Sequence, residues 1–255
     1  MEEDNYNDIL KIFEELPEGF NILEEQIDLE VQTKYFELSK KLRKKHAGKD
    51  YMKCRDELFS SEVKAARKKE ILIGLARTDD VKAYRTLEHY LENSDTAIRS
   101  WAVLALQENR MLIQTSLLDE QQYFISTGLG GKNKKLRYYL VFINRDFQRI
   151  LTPIQQKLVK EELIFELKHE EGEFESIDFS QGISTSMILL PLQSDIHKIF
   201  KKVISECNQY GNFLEEEMLI TNVKVLSRSE IIDILKNRKK YKPSPEDSQD
   251  DEIIF

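Results

Sequence analysis

The chain has 255 residues, 33% of them charged and 40% hydrophobic, with a net charge of −8. That length suits one large or two modest domains, and no apolar run reaches the roughly 20 residues a membrane span needs. Cys54 and Cys207 fall in different expected domains, which argues against a disulfide framework and for a reducing compartment, the cytoplasm. The opening residues Met1-Glu2-Glu3-Asp4-Asn5 lack the basic-then-apolar order of a signal peptide.

The charge is unevenly spread. Lys40–Lys69 holds twelve Lys or Arg against four acids, a local excess of +8 in a chain of net −8. Such asymmetry marks either an anionic partner or the solvated faces of charged helices. Lys44, Lys45, Arg67 and Lys68 are the candidate anion-binding residues of this stretch.

The first half reads as helices. Tyr6, Ile9, Leu10 and Phe13 share one face of a helix broken at Pro17 and Gly19. Leu23, Ile27, Val31, Tyr35, Leu38 and Leu42 predict a longer helix from Ile22 to about Lys45, closed by Gly48. Its basic end also suits the negative pole of a helix dipole. Asp80 leads a helix through Val81, Tyr84, Leu87 and Leu91, ended near Asn93. Next comes Asp95-x-x-Ile98-Arg99-x-Trp101-Ala102-x-x-Ala105-Leu106, with Ser94 or Asp95 as the expected cap.

That second segment resembles the second helix of a HEAT repeat over residues 80–114. The small Ala102 and Ala105 would let the paired helix approach closely, while Ile98 and Trp101 fill the seam. The resemblance implies that Asp95 and Arg99 tie neighbouring repeats together, and that the domain is a binding scaffold. Because such stacks need about three repeats to bury a core, an upstream repeat ending in Glu70–Ala76 is expected, capped by the N-terminal helices.

Gly128, Gly130 and Gly131 with Lys132, Lys134 and Lys135 form a glycine-rich basic loop. It could cradle phosphate through backbone amides, but it lacks the Gly-Lys-Ser/Thr order of a phosphate-binding loop and enters a strand. A flexible linker over 126–135 is the simpler expectation, with Lys132, Lys134 and Arg137 as its candidate anion contacts.

From there strands and helices alternate. Leu136–Ile143 is dense in branched and aromatic residues on both faces, as in a central strand. Thr152-Pro153-Ile154-Gln155 opens a helix running to about His169. Phe174–Phe179 and Ile183–Leu190 read as a hairpin through Ser180-Gln181-Gly182. Ser194 or Asp195 caps a helix with Ile196, Ile199, Phe200, Val203, Ile204, Cys207 and Tyr210 on its apolar face. Met218–Leu226 is a fourth strand, and Ser227–Glu230 a capping box before a last helix.

This βαββαβ order predicts a ferredoxin-like domain over 136–240. RNA-recognition modules share that fold and stack bases on aromatics of both central strands. Tyr138, Tyr139 and Phe142 serve one strand, but Ser184–Leu189 offers none, so the RNA-module reading fails there. The whole is an α+β two-domain chain: a HEAT-like helical domain over 1–125, the linker, the ferredoxin-like domain and an acidic tail over 241–255.

The tail ends Asp250-Asp251-Glu252-Ile253-Ile254-Phe255, which resembles the C-terminal tip of bacterial single-stranded DNA-binding proteins. The resemblance implies partner docking through Asp250, Asp251 and Phe255. His46, His89, His169, His197 and the two cysteines show no metal-ligand spacing, so no metal or cofactor is expected. The leading expectation is a non-catalytic interaction protein with a protein partner and no membrane. The alternative is nucleic-acid association through Lys40–Lys69.

Overall fold

Helices and antiparallel strands are built from adjoining halves of one chain. The computed structural model describes residues 20–45, 49–94, 96–119 and 122–240, a mixed α+β protein. One compact unit ends at Gly130 and another begins at Gly131. The expected helix at 5–15, Gly48, Asp95 and the tail lie outside the described residues, and Lys44 and Lys45 are described in backbone only.

The first unit runs β1 (Phe20–Ile22), α1 (Leu29–Lys45), a 3-10 helix (Tyr51–Phe59), α2 (Ala65–Ala76), α3 (Val81–Glu92), α4 (Thr96–Leu118) and β2 (Tyr123–Ile125). The helix expected from Ile22 therefore starts at Leu29. Ile22 and Leu23 are buried as that pattern requires, but by strand pairing: β1 lies parallel to β2, and the Leu23 amide donates to the Ile125 carbonyl at 3.0 Å. Apolar spacing alone does not distinguish the two modes of burial.

α2 is the central helix, with Ile71 to Ala76 all buried. Gly74 is required there, because a Cβ would stand 2.1 Å from the Tyr51 ring. Tyr51 thus lays the 3-10 helix directly on the α2 backbone. Trp101, Ala102 and Ala105 are buried on α4 as the small-residue seam predicts. Asp80 caps α3 through the Lys82 amide at 2.7 Å. Ser94, an expected cap, instead donates its hydroxyl to the Leu91 carbonyl.

The α2–α3 turn is gripped from α4. Asn109, fully buried, donates from Nδ2 to the carbonyls of Leu75, Ala76 and Thr78 at 3.1, 3.2 and 2.8 Å. The Leu75 and Ala76 carbonyls lie in the last turn of α2, where acceptors lack α-helical partners. Beside it, Glu108 accepts from the buried Tyr35 hydroxyl at 2.6 Å and from Arg77 at 3.4 Å. Burial and then the neighbouring carboxylate hold the Tyr35 phenol well above its ordinary range.

The stretch expected as a linker is divided between the units. Ser126 donates to Gln32, whose Nε2 reaches the carbonyls of Ile27 and Thr127 at 2.7 and 3.2 Å. Leu129 is buried, and a Cβ on Gly130 (φ 67°) would meet the Glu24 carbonyl at 2.5 Å. Beyond it, Gly131–Lys132 is already a strand.

The second unit runs β3 (Gly131–Lys132), β4 (Lys135–Asn144), α5 (Pro153–His169), β5 (Glu173–Ser180), β6 (Ile183–Pro191), α6 (Ile196–Asn208), β7 (Leu214–Thr221) and α7 (Arg228–Lys240). β4 pairs with β6 on one side, and with β3 then β7 on the other, all antiparallel; β5 adds outside β6. Its side chains from Tyr138 to Asn144 are buried on both faces. Phe142 packs edge-on against Phe200 of α6, while the Tyr139 hydroxyl reaches the Leu226 carbonyl at 3.2 Å.

The local signals hold at α5, where Thr152 and Gln155 form a reciprocal capping box with Pro153 in the first turn. They also hold at α7, where Ser227 and Glu230 exchange the same bonds. Two expectations are corrected. The fourth strand is Leu214–Thr221 and not 218–226, because Glu215–Glu217 stand in solvent on an edge strand and hide its start. Tyr210 lies past the end of α6 and is 72% exposed, since the helix stops at Asn208.

Two tight turns set the strand registers. Asn133 (φ 50°) and Lys134 (φ 62°) form the two-residue β3–β4 turn, both left-handed as the mirror-image hairpin turn demands. Gly182 (φ 79°) closes β5–β6, where a Cβ would lie 2.4 Å from the Phe147 carbonyl. Replacing Lys134 by Gly relieves a strained side-chain position and raises stability by ~1 kcal/mol. Gly182→Ala has no room to relax and lowers it by about 2 kcal/mol or more. Urea unfolding of the two variants checks both signs.

Candidate binding surface

The basic stretch is largely consumed inside the helical unit. Glu70 on α2 accepts from Lys49 at 2.8 Å, from Arg67 at 3.0 Å and from the Tyr51 hydroxyl at 3.1 Å. Arg67 also makes a two-pronged contact with Glu57 at 2.9 and 3.0 Å. Burial alone would raise the Glu70 pKa, but the bonds from Lys49, Arg67 and Tyr51 outweigh it and hold it down to about 2. Burial, then the bond to Glu70, pushes the Tyr51 phenol up to about 12. Arg67 raises its own basicity through Glu57 and lowers the Glu57 carboxyl in return.

Lys68 is buried, with its ammonium 5.9 Å from the Tyr90 ring centre, and Lys69 sits 4.2 Å from that of Trp101. Neither Arg67 nor Lys68 is thus an open phosphate contact. Lys40, Lys41, Arg43 and Lys64 remain exposed, with no ion pair among the described residues.

In the second unit, Lys132 and Lys134 stand exposed at the β3–β4 turn. Arg137 pairs through two bonds with Glu175 at 2.7 and 2.8 Å, and Lys135 with Glu173 at 2.7 Å. These pairs cross over β6 to β5. The glycines before them do not form an amide cradle, since the Gly130 amide donates to Thr127 and Gly131 belongs to β3. Cys207 is buried; burial and then Glu162 and Glu206 push its thiol up to about 12, the reverse of what a nucleophile needs. Among the described residues no His, Cys, Asp or Glu cluster could hold a metal ion, and no helix is long and apolar enough to cross a membrane.

Among the described residues a surface concavity lies between the 3-10 helix and α3. The first supplies Arg55, Asp56 and Phe59, and the second Arg85, Thr86 and His89, around a shallow, open depression of about 260 Å³. Phe59 is 44% exposed yet held in place, stacked on His89 with ring centres 5.1 Å apart and edge-on to Tyr90 at 5.7 Å. The guanidinium of Arg85 is steadied by Glu88 at 2.6 Å, which raises its basicity, and Arg55 lies 3.6 Å from Asp56. Sequence reading missed this groove. Phe59 falls in a 3-10 helix without apolar periodicity, and Arg85 and His89 are surface positions of α3 that the packing pattern leaves silent.

No family model matches the chain, and no curated protein matches it. Among solved structures it is similar to a "putative transposase" from Deinococcus radiodurans R1, at 15% identity over 41% of this chain and 91% of that one, with a TM-score of 0.35.

Glu70 makes the helical unit acid-sensitive in a defined window. Because its pKa falls from an ordinary 4.5 to about 2 in the folded chain, its contribution is complete above pH 4.5 and is lost as pH drops toward 2. Glu70→Gln therefore starts less stable at neutral pH and loses less on acidification through that window. Urea midpoints measured at intervals from neutral pH down to about 2.5 check this; parallel declines for both proteins would count against it.

Proposed function

We propose that this chain is a non-catalytic interaction protein whose helical unit is a short HEAT-like stack that receives a protein partner. The helical contacts support the stack. The 3-10 helix and α2 form one hairpin, α3 and α4 the next; α2 packs on α4, and the 3-10 helix on α3. First helices thus share one layer and second helices the other, as successive repeats would. Arg99 on α4 ties back to Glu25 at 3.0 Å and to the Leu91 carbonyl at 3.3 Å, a linking role of the kind the repeat pattern implies. In the second unit, the antiparallel order β7-β4-β6-β5, with α5 packed on α6, supports a ferredoxin-like arrangement.

The observation that carries the functional reading is the groove between the two first helices. At about 260 Å³ it falls below the roughly 300–1,000 Å³ of small-molecule pockets. It suits a single inserted side chain of a partner. Phe59 offers a rigid aromatic contact, and Arg55 and Arg85 offer planar donors for carboxylate groups beside it.

A pull-down from nuclease-treated lysate tests this. A protein partner retained by the wild type and by Lys64→Glu is lost from Phe59→Ala/Arg85→Glu, which weakens binding at least tenfold in direct titration with that partner. Equal retention by all three baits would remove the groove from consideration, and turnover of a metabolite by the purified chain would overturn the non-catalytic reading.

A further inference from the structure

α1 carries a second surface with a different chemistry. Leu29, Thr33, Phe36, Lys40 and Arg43, at offsets of 4, 7, 11 and 14, lie along one outward line of the helix. The opposite side holds Tyr35 and Ser39, both buried, with Val31, Leu38 and Leu42 packed against the core. Phe36 is 48% exposed, and the fully buried Tyr35 braces its ring edge-on at 5.4 Å. The Phe36 ring is thus supported from the core side while about half of it stays open.

Directly beyond it stand Lys40, Lys41 and Arg43, exposed and without an ion pair among the described residues. Glu30 is occupied by Lys34 at 2.6 Å, which leaves Glu37 as the unpaired acid on this helix. Cations near a helix C-terminus have a structural use. That use explains neither the large exposed ring one turn earlier nor its alignment with Lys40 and Arg43.

We infer that this ridge of α1 binds single-stranded nucleic acid, with Phe36 stacking a base, Lys40 and Arg43 contacting phosphates along the ridge, and Lys41 reaching a further phosphate from the helix flank. An aromatic platform beside a row of like-charged cations is the combination that single strands need, because every unpaired base presents a π-face and every link a negative charge. The overall charge of −8 makes a cationic ridge of this kind a local exception to the chain's balance. The interaction is independent of the groove at Phe59.

The test is fluorescence anisotropy of the full chain with a labelled oligothymidine at about 50 to 200 mM salt. Three phosphate contacts predict a slope of log affinity against log salt of about −2. Reversal of Lys40, Lys41 and Arg43 to Glu removes binding, whereas reversal of Lys132 and Lys134 leaves it intact. Phe36→Ala weakens it about 5- to 100-fold with the salt slope unchanged. Duplex DNA of the same length binds more weakly than the single strand. No binding at the lowest salt, or full affinity in both the triple reversal and Phe36→Ala, would overturn the inference. Duplex as tight as single strand would overturn the stacking role, and equal competition by polyglutamate would overturn the assignment to nucleic acid.

Discussion

Much of the helical unit depends on where one carboxylate sits. Glu70 projects from α2 into a position that Lys49, Arg67 and Tyr51 all reach, and the 3-10 helix is anchored by that convergence. The Tyr51 ring lies on the bare backbone of Gly74 while its hydroxyl is held by Glu70, so packing and polarity fix the same side chain at both ends. Arg67 then extends the network to Glu57, two residues before Phe59. The orientation of Arg55 and Phe59 toward α3 follows from this anchoring. The network also removes cations from the surface, which makes the few that remain on α1 more meaningful.

The second unit solves a different problem. Its central strand is apolar on both sides, and the charged residues at its start would be stranded without partners. Lys135 and Arg137 reach across β6 to Glu173 and Glu175 on β5. Ordinary surface ion pairs contribute roughly 0–1 kcal/mol. Arg137, with 14% of its side chain exposed, is shielded more than such pairs are. Both flanks of the sheet also present acids in the open, Asp178 on β5 and Glu215–Glu217 on β7, a charge pattern that discourages strand pairing with other chains.

Where a signal was local and chemically specific, the sequence was a reliable guide. The Thr152–Gln155 and Ser227–Glu230 boxes, the Gln181-Gly182 hairpin and the seam of Ala102 and Ala105 are each written in the few residues that form them. Errors arose where identity depends on a distant partner. Ile22 and Leu23 fit a helical stripe until β2, a hundred residues on, claims them as strand. Glu215–Glu217 look unlike strand because only an edge tolerates them. The surroundings of two candidate cations were hidden in the same way. Arg67 and Lys68 read as free cations because Glu57, Glu70 and Tyr90 are brought to them by folding, while Phe36 lies one residue off the stripe that Tyr35 occupies and so escaped notice.

The β1–β2 pairing has a consequence for how the helical unit comes apart. Stacks of helical hairpins are open-ended, so their terminal repeats can fray one at a time, as in a linear chain of weakly coupled elements. Here the two ends are joined. Residues 20–22 pair with 123–125, and Gln32 clasps Ser126 and Thr127 immediately after. Closing a loop of about 100 residues costs entropy that grows only slowly with its length, and in return neither end of the helical unit can peel away without breaking the clasp. The unit should therefore melt as one cooperative body instead of fraying stepwise, and during synthesis it stays incomplete until the segment around Phe124 has emerged.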